Sequence, residues 1–409
     1  MLRDRNIVCV STIDWDFLWQ EHQGVMSVLA HAGNRVLFIE NTGVRSPGWK
    51  DRARVLARLR KWMSGKGRFR PVAENVSLCS PLAMPFPYSP LAQWINRSLV
   101  CDSVRRWVER SGFDDPILFT FLPTQFTLDL IDAIRPALSV FYCTDKLSET
   151  SPAARRILPY ERRVIERADL VFASSERLVD YCRAHNPATY LFPIGVSLEK
   201  FERAWRGEPP VPEDMAGLPR PVIGMVGGLR QCVDQPLLRE LSRRLPHAAL
   251  ALVGPEQAPM TELRGLPNVH LLGAKPHERI PDYIGAFDVC LIPYAVDAFT
   301  NSISPAKLNE YLALGKPIVS TDLAEARRFN EAHGAVVRIG ATREEFVAQV
   351  ESALAEDPGA LRLERRAVAE MNGWERRVEA MSRLIEARLY ERTGAESRAQ
   401  RGFAASDGQ

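Results

Sequence analysis

The sequence predicts an α/β protein built from two doubly wound, Rossmann-like domains. Short apolar, β-branched runs alternate with helix-like segments along most of the 409 residues, and this alternation is typical of strands joined by crossover helices. Most of these runs are apolar on both faces, as strands of a parallel sheet are when helices cover both sides. They fall into two sets, and a length of 409 residues fits two domains of about 100–200 residues each.

The first set of strands is predicted between the N-terminus and residue 192. Its strands lie at 7–10, 35–39, 117–121, 139–143, 170–173 and 190–192, and its helices include 21–32, 91–110, 153–167 and 176–185. Two turn-rich stretches, 207–212 and 217–221, follow and indicate a linker. The second set and the closing helices are predicted at 222–226, 249–253, 269–272, 289–293, 317–320 and 335–339, then at 343–356, 360–371 and 374–391.

Composition and charge exclude several classes of protein. Apolar residues make up 46% and charged residues 25%, which is usual for a globular protein and unlike a disordered or collagen-like chain. The net charge is +3, so no nucleic-acid partner is expected. The seven cysteines include no CxxC pair, which favours a reducing compartment over a disulfide framework. The sequence shows no signal-peptide core and no bilayer-spanning apolar run, so the expected location is the cytoplasm.

The segment 289–321 carries the most specific pattern. It indicates a strand, a polar loop, a short helix and a second strand, with Ser304 as the N-cap and Pro305 in the first helical position. A helix that begins at the carboxyl end of a parallel strand directs N–H groups at a ligand and binds anions. Lys307 lies in the first turn, where a cation opposes the helix dipole and is better explained if it meets a phosphate. Glu310 can accept both hydroxyls of a ribose.

Residues 305–319 resemble the donor-site signature of GT-B glycosyltransferases of the GT4 type. They are especially similar to the P-x-K-x-x-E-Y-L-A-x-G-K-P motif of bacterial cell-surface polysaccharide enzymes of the teichuronic acid type. The resemblance implies two Rossmann-like domains facing across a cleft, with a nucleotide-sugar donor in the C-terminal domain and the acceptor in the N-terminal one. It implies that Glu310 holds the nucleotide ribose and that Ser304, Lys307 and nearby N–H groups hold the diphosphate. Lys307 is then also a catalytic candidate, because its charge would stabilise the departing nucleoside diphosphate.

The sequence departs from that family pattern at several donor-site positions. Ser302 stands eight residues before the ribose-binding Glu, where many relatives have a second Glu that contacts the donor sugar. The identity of the sugar is therefore not carried over. Gly227 and Gly228 end a strand and would let the backbone approach a phosphate, although a tight turn alone explains them equally well. Arg230 is a further donor-binding candidate, but it is out of phase with the Arg of relatives, and Asp234 stands where a Lys is common.

Two further resemblances set the predicted domain boundaries. Residues 193–201 resemble the family's crossing between domains, and Trp374 resembles the start of a last helix that returns to the N-terminal domain. The tail is polar and rich in small residues, and is expected to be disordered. The predicted division is an acceptor-binding domain over 1–195, a donor-binding domain over 196–373, a crossover helix over 374–392 and a tail over 393–409.

The acceptor candidates lie in the N-terminal domain, at the carboxyl ends of two strands. The loop after the first strand and the helix it enters offer Trp15, Trp19, Gln23 and Gly24. The two tryptophans can stack on sugar rings, or equally cover the core. The string Asp14-Trp15-Asp16 resembles the metal-binding DxD of GT-A enzymes, but it follows the first strand instead of a mid-chain one, so no metal is expected. Asp145 ends another strand and is the candidate base or acceptor-orienting group, with a capping role as the alternative.

The segment 50–70 is a strong cluster of positive charge. It holds nine cations and one acid, a net charge of +8, and its apolar residues recur at helical spacing. A basic amphipathic helix is typical of binding to an anionic membrane, where a lipid-linked acceptor would lie. A solvated face over the domain core is the alternative. The expectation is therefore a cytoplasmic protein that can attach to the inner face of the cell membrane.

The resulting hypothesis is a glycosyltransferase that moves a sugar from a nucleotide-sugar donor to a glycan or polyprenyl-linked acceptor in cell-surface polysaccharide biosynthesis. The resemblance implies a retaining reaction without cofactor or metal, in which the leaving diphosphate takes the acceptor proton. Two alternatives stay open. A nucleotide-sugar 2-epimerase shares the fold, but it would need acid and base groups around the sugar, and no clear set is found. A degenerate protein that binds the donor without turnover is favoured by Ser302.

Overall fold

The computed structural model describes residues 1–16, 19–40, 69–81, 83–84, 88–149, 152–207, 209–357, 359 and 361–406. The basic segment predicted at 50–70 lies outside these residues, apart from its last two. The chain forms two compact units, one made of Met1–Pro193 with Glu375–Gln409 and the other of Ile194–Trp374.

The first unit is built on an eight-stranded sheet. Its strands are β1 (Asn6–Val10), β2 (Arg35–Ile39), β3 (Phe69–Ala73), β4 (Val76–Cys79), β5 (Ile117–Thr120), β6 (Leu138–Cys143), β7 (Leu170–Ala173) and β8 (Thr189–Leu191). They follow the order β3-β4-β2-β1-β5-β6-β7-β8, and neighbours run parallel except for β3, which is antiparallel to β4. The hairpin β3–β4 was not predicted because β3 is only partly buried and carries no apolar pattern.

Helices cover both faces of this sheet in the manner expected of a doubly wound domain. Among the described residues they are α1 (Glu21–His31), α2 (Pro90–Asn96), α3 (Asp102–Arg110), α4 (Gln125–Ile134), α5 (Leu158–Arg167) and α6 (Glu176–Arg183). The single helix predicted at 91–110 is interrupted, because a π turn, Arg97–Cys101, joins α2 to α3. Short 3-10 turns, Leu147–Glu149 and Pro152–Ile157, precede α5.

The second unit is built on a six-stranded parallel sheet. Its strands are β9 (Val222–Val226), β10 (Ala249–Val253), β11 (Val269–Gly273), β12 (Val289–Ile292), β13 (Ile318–Thr321) and β14 (Arg338–Gly340), in the order β11-β10-β9-β12-β13-β14. Its helices in the described chain are α7 (Leu198–Arg206), α8 (Gln235–Arg244), α9 (Ile280–Ala286), α10 (Ala306–Ala313), α11 (Ala324–His333), α12 (Arg343–Leu354) and α13 (Arg362–Met371). The predicted architecture of two Rossmann-like parallel sheets is confirmed.

The predicted linker, with its turn-rich stretches 207–212 and 217–221, lies inside the second unit. The helix α7 comes before it, and Phe201 and Ala204 of that helix pack into the core of the second unit. The chain therefore enters the second unit before α7, at Pro193–Ile194. Between the two stretches, Met215 is also buried in that core, which a solvated linker would not allow.

The last helix, α14 (Trp374–Ser406), belongs to the first unit from Glu375 onward. Its side chains Val378, Met381 and Ile385 are buried. The helix extends to Ser406, so the part of the tail predicted to be disordered that the structure describes is helical. Ala, Glu, Arg and Gln dominate this stretch, and these residues have high helix propensity. Across the described residues, no helix is both long and apolar enough to cross a bilayer.

Candidate functional site

The strand order of the second unit indicates a candidate ligand site at the carboxyl ends of β9 and β12. The chain leaves β9 toward β10 and β11 on one side, and continues from β12 to β13 and β14 on the other. In open parallel sheets, ligands bind outside the carboxyl ends of the strands where the order reverses in this way. The loops after the two strands are joined there, because the Asp234 N–H donates to the Pro293 carbonyl at 2.9 Å.

The helix α10 is fixed to this edge of the sheet by a buried tyrosine. The Tyr311 hydroxyl accepts a hydrogen bond from the Val226 N–H at 3.0 Å and donates to the Leu291 carbonyl at 3.3 Å. It therefore ties the last residue of β9 to β12. The Asn309 amide donates to the Ile194 carbonyl at 2.8 Å. These buried hydrogen bonds set the position of the first turn of α10, which carries Lys307.

Lys307 is the most unusual residue of the site. Its side chain is only 7% exposed, and its Nζ has no hydrogen-bond partner among the described residues. The face of the Tyr294 ring lies 4.8 Å from Nζ and offers a weak cation–π contact. An ammonium has three donors, and burial of unsatisfied donors destabilises the protein unless a ligand supplies acceptors. The arrangement is therefore suited to an anion.

Gly227 brings the backbone next to Lys307. Its φ is +111°, a region that favours glycine, and a Cβ there would lie 3.3 Å from Lys307 Nζ. Its carbonyl is also crowded, since a Cβ on Gly254 would lie 2.0 Å from the Gly227 oxygen. Both positions therefore favour glycine, because a side chain would come too close to neighbouring atoms. A side chain at Gly227 would also reduce the space beside Lys307 Nζ.

The other predicted donor-binding residues after β9 have local partners. A Cβ on Gly228 would meet the Gln257 side chain at 3.1 Å. Arg230 is exposed, and its Nε donates to Gln257 Oε1 at 2.9 Å. Asp234 caps α8 by accepting the Leu237 N–H at 2.9 Å, which gives a structural reason for an Asp where relatives often have a Lys.

Ser304 does not cap α10 as predicted, and Ser302 bonds within the loop before the helix. The helix begins at Ala306 with Pro305 as its N-cap, one residue later than predicted, and no side chain caps its first turn. Ser304 therefore precedes the cap, because Pro305 holds an extended conformation that ends the loop. Ser302 is buried, and its hydroxyl donates to the Phe299 carbonyl at 2.6 Å, so it holds the loop in place.

Glu310 lies at the end of a short chain of polar groups. Its carboxylate is 3.5 Å from His277 Nε2, and both side chains are partly exposed. The other ring nitrogen of His277 lies 3.4 Å from Lys200 Nζ. Burial lowers the pKa of Lys200 to about 8, against the opposing charges of Glu278 and Glu310. A Lys200 donor at Nδ1 would leave the Nε2 proton of His277 to face Glu310.

His277 and Lys200 are the site residues that sequence reasoning missed. His277 lies in the 3-10 turn His277–Arg279, just before α9, and Lys200 lies in α7. Nothing in the local sequence singles out either residue, because their proximity to Glu310 depends on three separate elements of the second unit. Only the position of His277 shortly after β11, at the carboxyl edge of the parallel sheet, could have indicated a functional role.

In the first unit, the predicted acceptor loop is held by its own side chains. The Gln23 amide donates to the Trp15 carbonyl at 3.1 Å, and Gln23 is fully buried. Gly24 is also buried. Trp15 and Trp19 are partly exposed and meet edge to face, with centroids 6.0 Å apart. The two tryptophans therefore remain accessible to a ligand, whereas Gln23 and Gly24 support the loop.

Asp145 lies in the bend after β6 and is partly exposed. Beside it, the Ser174 hydroxyl donates to the Thr144 carbonyl at 2.8 Å.

The sequence did not single out His22, which is buried against Phe121 and lies 2.9 Å from the Thr12 hydroxyl. Burial lowers the pKa of His22 to about 3. In the part of the chain that the structure describes, no three His, Cys, Asp or Glu side chains gather as a metal site.

Two sequence comparisons match part of the chain. Residues 220–356 match the family model described as glycosyl transferases group 1. A protein of Bacillus subtilis (strain 168) with the provisional name teichuronic acid biosynthesis glycosyltransferase TuaH is 28% identical over 223 residues. The match covers 52% of this chain and 56% of that relative, so the chain spans little more than half of the relative's length.

Solved structures resemble almost the whole chain. Sucrose-phosphate synthase from Thermosynechococcus elongatus gives a TM-score of 0.68 at 18% identity, over 96% of this chain and 100% of that one. HepE of Anabaena, in complex with UDP and glucose, gives a TM-score of 0.62 at 15% identity, over 93% of this chain and 99% of that one. At such identities the likeness shows the fold, and that fold is GT-B.

Proposed function

Since residues 220–356 are a group 1 glycosyltransferase domain in a chain with the GT-B fold, we propose that the whole chain is a glycosyltransferase of cell-surface polysaccharide biosynthesis. Its donor is a nucleotide sugar, bound by the second unit. Its acceptor is a glycan or a polyprenyl-linked sugar, bound by the first unit. The name of the Bacillus subtilis relative supports the polysaccharide assignment.

The buried and unsatisfied ammonium of Lys307 is the observation that carries this proposal. Lys307 Nζ lies beside the glycine turn after β9 and in the first turn of α10, whose N–H groups have no side-chain cap. A diphosphate would supply acceptors to the ammonium and to the helix N–H groups together. This combination is better matched to a diphosphate than to a neutral ligand.

Glu310 is proposed to accept the ribose hydroxyls of the donor. It lies one turn of α10 beyond Lys307, on a neighbouring face, so a nucleoside diphosphate could contact both. One carboxylate oxygen is 3.5 Å from His277, which leaves acceptor capacity on the other oxygen. His277 is a positioning residue in this proposal, because it acts through Glu310.

The proposed reaction breaks the bond between the sugar and the diphosphate and forms a bond between the same sugar carbon and an acceptor hydroxyl oxygen. The diphosphate gains negative charge as it leaves, and the Lys307 ammonium and the N-terminus of α10 stabilise that charge. In the retaining course, the acceptor proton passes to the leaving phosphate oxygen, so no strong protein base is needed. Asp145 then orients the acceptor hydroxyl. The proposed reaction uses neither a metal nor a cofactor.

The proposed location is the inner face of the cell membrane, where a polyprenyl-linked acceptor would be found. The net charge of +8 over residues 50–70 supports attachment to anionic lipids. The alternative of a 2-epimerase is not favoured by the comparisons, which name glycosyltransferases and synthases.

Calorimetric binding of nucleoside diphosphates to Lys307→Met tests the proposal. Loss of a hydrogen bond between charged groups should weaken binding by about 1.5–3 kcal/mol, or about 10- to 150-fold. Arg264→Met is the matched control, because Arg264 is a mostly exposed cation of the same unit, paired with Glu256 at 2.6 Å. Binding by Lys307→Met as tight as that of the control would contradict the diphosphate assignment.

Product analysis separates transfer from the two alternatives. Incubation with a nucleotide sugar and a glycan or polyprenyl-linked acceptor should release a nucleoside diphosphate and extend the acceptor. An epimerised donor would identify the epimerase, and donor binding without any product would identify the degenerate protein.

A further inference from the structure

The first unit exposes an apolar face on α2 and the π turn that follows it. Leu91 and Trp94 are each 66% exposed, Leu99 is 55% exposed and Met84 is 40% exposed. Most other large apolar side chains of the described first unit are buried. Exposed large side chains that gather on one short segment mark an interaction surface more often than single ones do.

The face is held rigidly, because the opposite side of the same segment is part of the core. Ala92, Val100 and Cys101 are buried, and Val100 and Cys101 pack with the strands of the sheet. Asn96 fixes Met84 to the helix, since its Oδ1 accepts the Met84 N–H at 2.6 Å. The outward direction of the apolar side chains is therefore built into the fold.

Leu99 lies in the π turn that follows α2. The Asp102 N–H donates to the Arg97 carbonyl, five residues earlier. This wider turn inserts one residue between Arg97 and Asp102. Ser98 and Leu99 within it are both exposed, so the apolar face includes one polar neighbour.

The charge around the face indicates its partner. Arg97 is the only charged residue between positions 81 and 101, and it is exposed. Arg106, seven residues beyond Leu99, is exposed too. Asp102, three residues beyond Leu99, is partly exposed but lies 3.7 Å from Arg105, so arginines outnumber acids next to Leu99. An apolar strip with Trp and Leu that is bordered mainly by Arg is typical of helices that lie in the interface of an anionic membrane. In the sequence, the segment 50–70 carries a further net charge of +8.

The size of the face also favours a membrane over a protein. Four partly exposed side chains offer at most a few hundred Å², whereas a stable protein interface needs about 800 Å² from each partner. Insertion of a few apolar side chains into lipid has no such minimum and becomes stable when basic residues add their attraction to anionic headgroups.

We propose that Met84, Leu91, Trp94 and Leu99 insert into the interface of an anionic lipid bilayer and fix the orientation of the first unit on the membrane. The biological role of this insertion rests on the proposed function, because the membrane would hold the lipid-linked acceptor. It differs from attachment by the segment 50–70, because it depends on apolar burial instead of charge.

Co-sedimentation of the full-length protein with vesicles tests the proposal. The vesicles contain phosphatidylcholine alone or with about a third phosphatidylglycerol, and salt is varied from 0.1 to about 1 M, where the Debye length falls to about 3 Å. Leu91→Asp is expected to lower the partition coefficient on anionic vesicles about tenfold, because a leucine that inserts into the lipid is replaced by a charge. Wild-type protein should keep a measurable part of its binding at high salt.

Leu363→Asp is the matched control. Leu363 is 74% exposed and lies in the first turn of α13 in the second unit, as Leu91 does in α2. An Asp is favourable in the first turn of a helix, so both variants should fold. Equal binding by Leu91→Asp and wild type would overturn the proposal, and so would equal loss in both variants.

Sedimentation velocity without vesicles separates a protein partner from the membrane. Self-association that Leu91→Asp abolishes, together with wild-type vesicle binding, would assign the face to a second copy of the chain and overturn the proposal. The vesicle measurement needs neither donor nor acceptor, and the nucleoside diphosphate affinity of Leu91→Asp should equal that of wild type. Failure of the membrane inference is therefore distinguishable from failure of the proposed function.

Discussion

At the scale of single residues, the candidate site depends on one buried cation and one carboxylate on the same helix. The ammonium of Lys307 has no hydrogen-bond partner in the described chain, whereas Glu310 already has His277 as a neighbour at 3.5 Å. The two residues thus differ in what they require. Lys307 needs a ligand to satisfy its donors, and Glu310 adds selectivity for a ligand that can donate hydrogen bonds.

Glu310→Gln should weaken binding of a ribonucleoside diphosphate by about 1–3 kcal/mol, because an amide accepts ribose hydroxyls less strongly than a carboxylate does. The same variant should bind the 2′,3′-dideoxy nucleotide as tightly as wild type, since that ligand has no hydroxyl to donate. Calorimetry on both proteins with both ligands gives the coupling between carboxylate and hydroxyls. An equal loss for the two ligands would place Glu310 elsewhere than at the ribose.

The residue scale also shows how far the site could be predicted from the sequence. Lys307 and Glu310 share one short helix, so their spacing alone placed them on neighbouring faces. The same reasoning could not find His277, which approaches Glu310 from the turn before α9, or Lys200, which approaches His277 from α7. It also could not show that Gln23 is buried, because exposure depends on how the loop folds back on α1. Contacts between distant segments are decided by tertiary packing, which local patterns do not contain.

At the scale of elements, the turn after β9 and the start of α10 form one structure. Tyr311 joins them through its hydroxyl, and Gly227 lets the turn pass close to Lys307. The strands of the second unit and its helices α10, α12 and α13 were predicted, because apolar runs and glycine turns mark them locally. The hairpin β3–β4 and the π turn were not, since neither leaves a periodic signal.

Gly227→Ala is expected to lower nucleoside diphosphate affinity about tenfold or more and to destabilise the second unit by about 1–2 kcal/mol, the usual cost of a side chain in a left-handed backbone region. The added methyl would also lie 3.3 Å from Lys307 Nζ. Gly228→Ala is the matched control, because its methyl meets only the flexible Gln257 side chain. Calorimetric affinities and thermal denaturation of both variants check this, and equal losses in the two would show that the backbone conformation of Gly227 is not the cause.

At the scale of the whole molecule, the end of the chain completes the unit that the beginning of the chain starts. The helix α14 belongs to the first unit, and Arg392 forms an ion pair with Asp169 at 2.9 Å. Near the N-terminus, the Ser382 hydroxyl lies 3.7 Å from the sulfur of Met1. The returning helix was predicted by resemblance to a family, not by composition. The first unit therefore cannot complete its core until the second unit has been synthesised.

This topology predicts that a core substitution in α14 acts on the first unit and spares the donor site. Ile385 is 1% exposed, and Ile385→Ala should destabilise the first unit by about 2–4 kcal/mol through the cavity it leaves. Arg383→Ala, on an exposed part of the same helix, should change stability by no more than about 0.5 kcal/mol.

Differential scanning calorimetry with and without a nucleoside diphosphate distinguishes the units, because only the unit that binds the ligand gains stability from it. Ile385→Ala should lower the transition that the nucleotide leaves unchanged and leave the affinity for the nucleotide intact. If the substitution lowered the nucleotide-sensitive transition instead, α14 would have to stabilise the second unit, and the assignment of Glu375 onward to the first unit would be wrong.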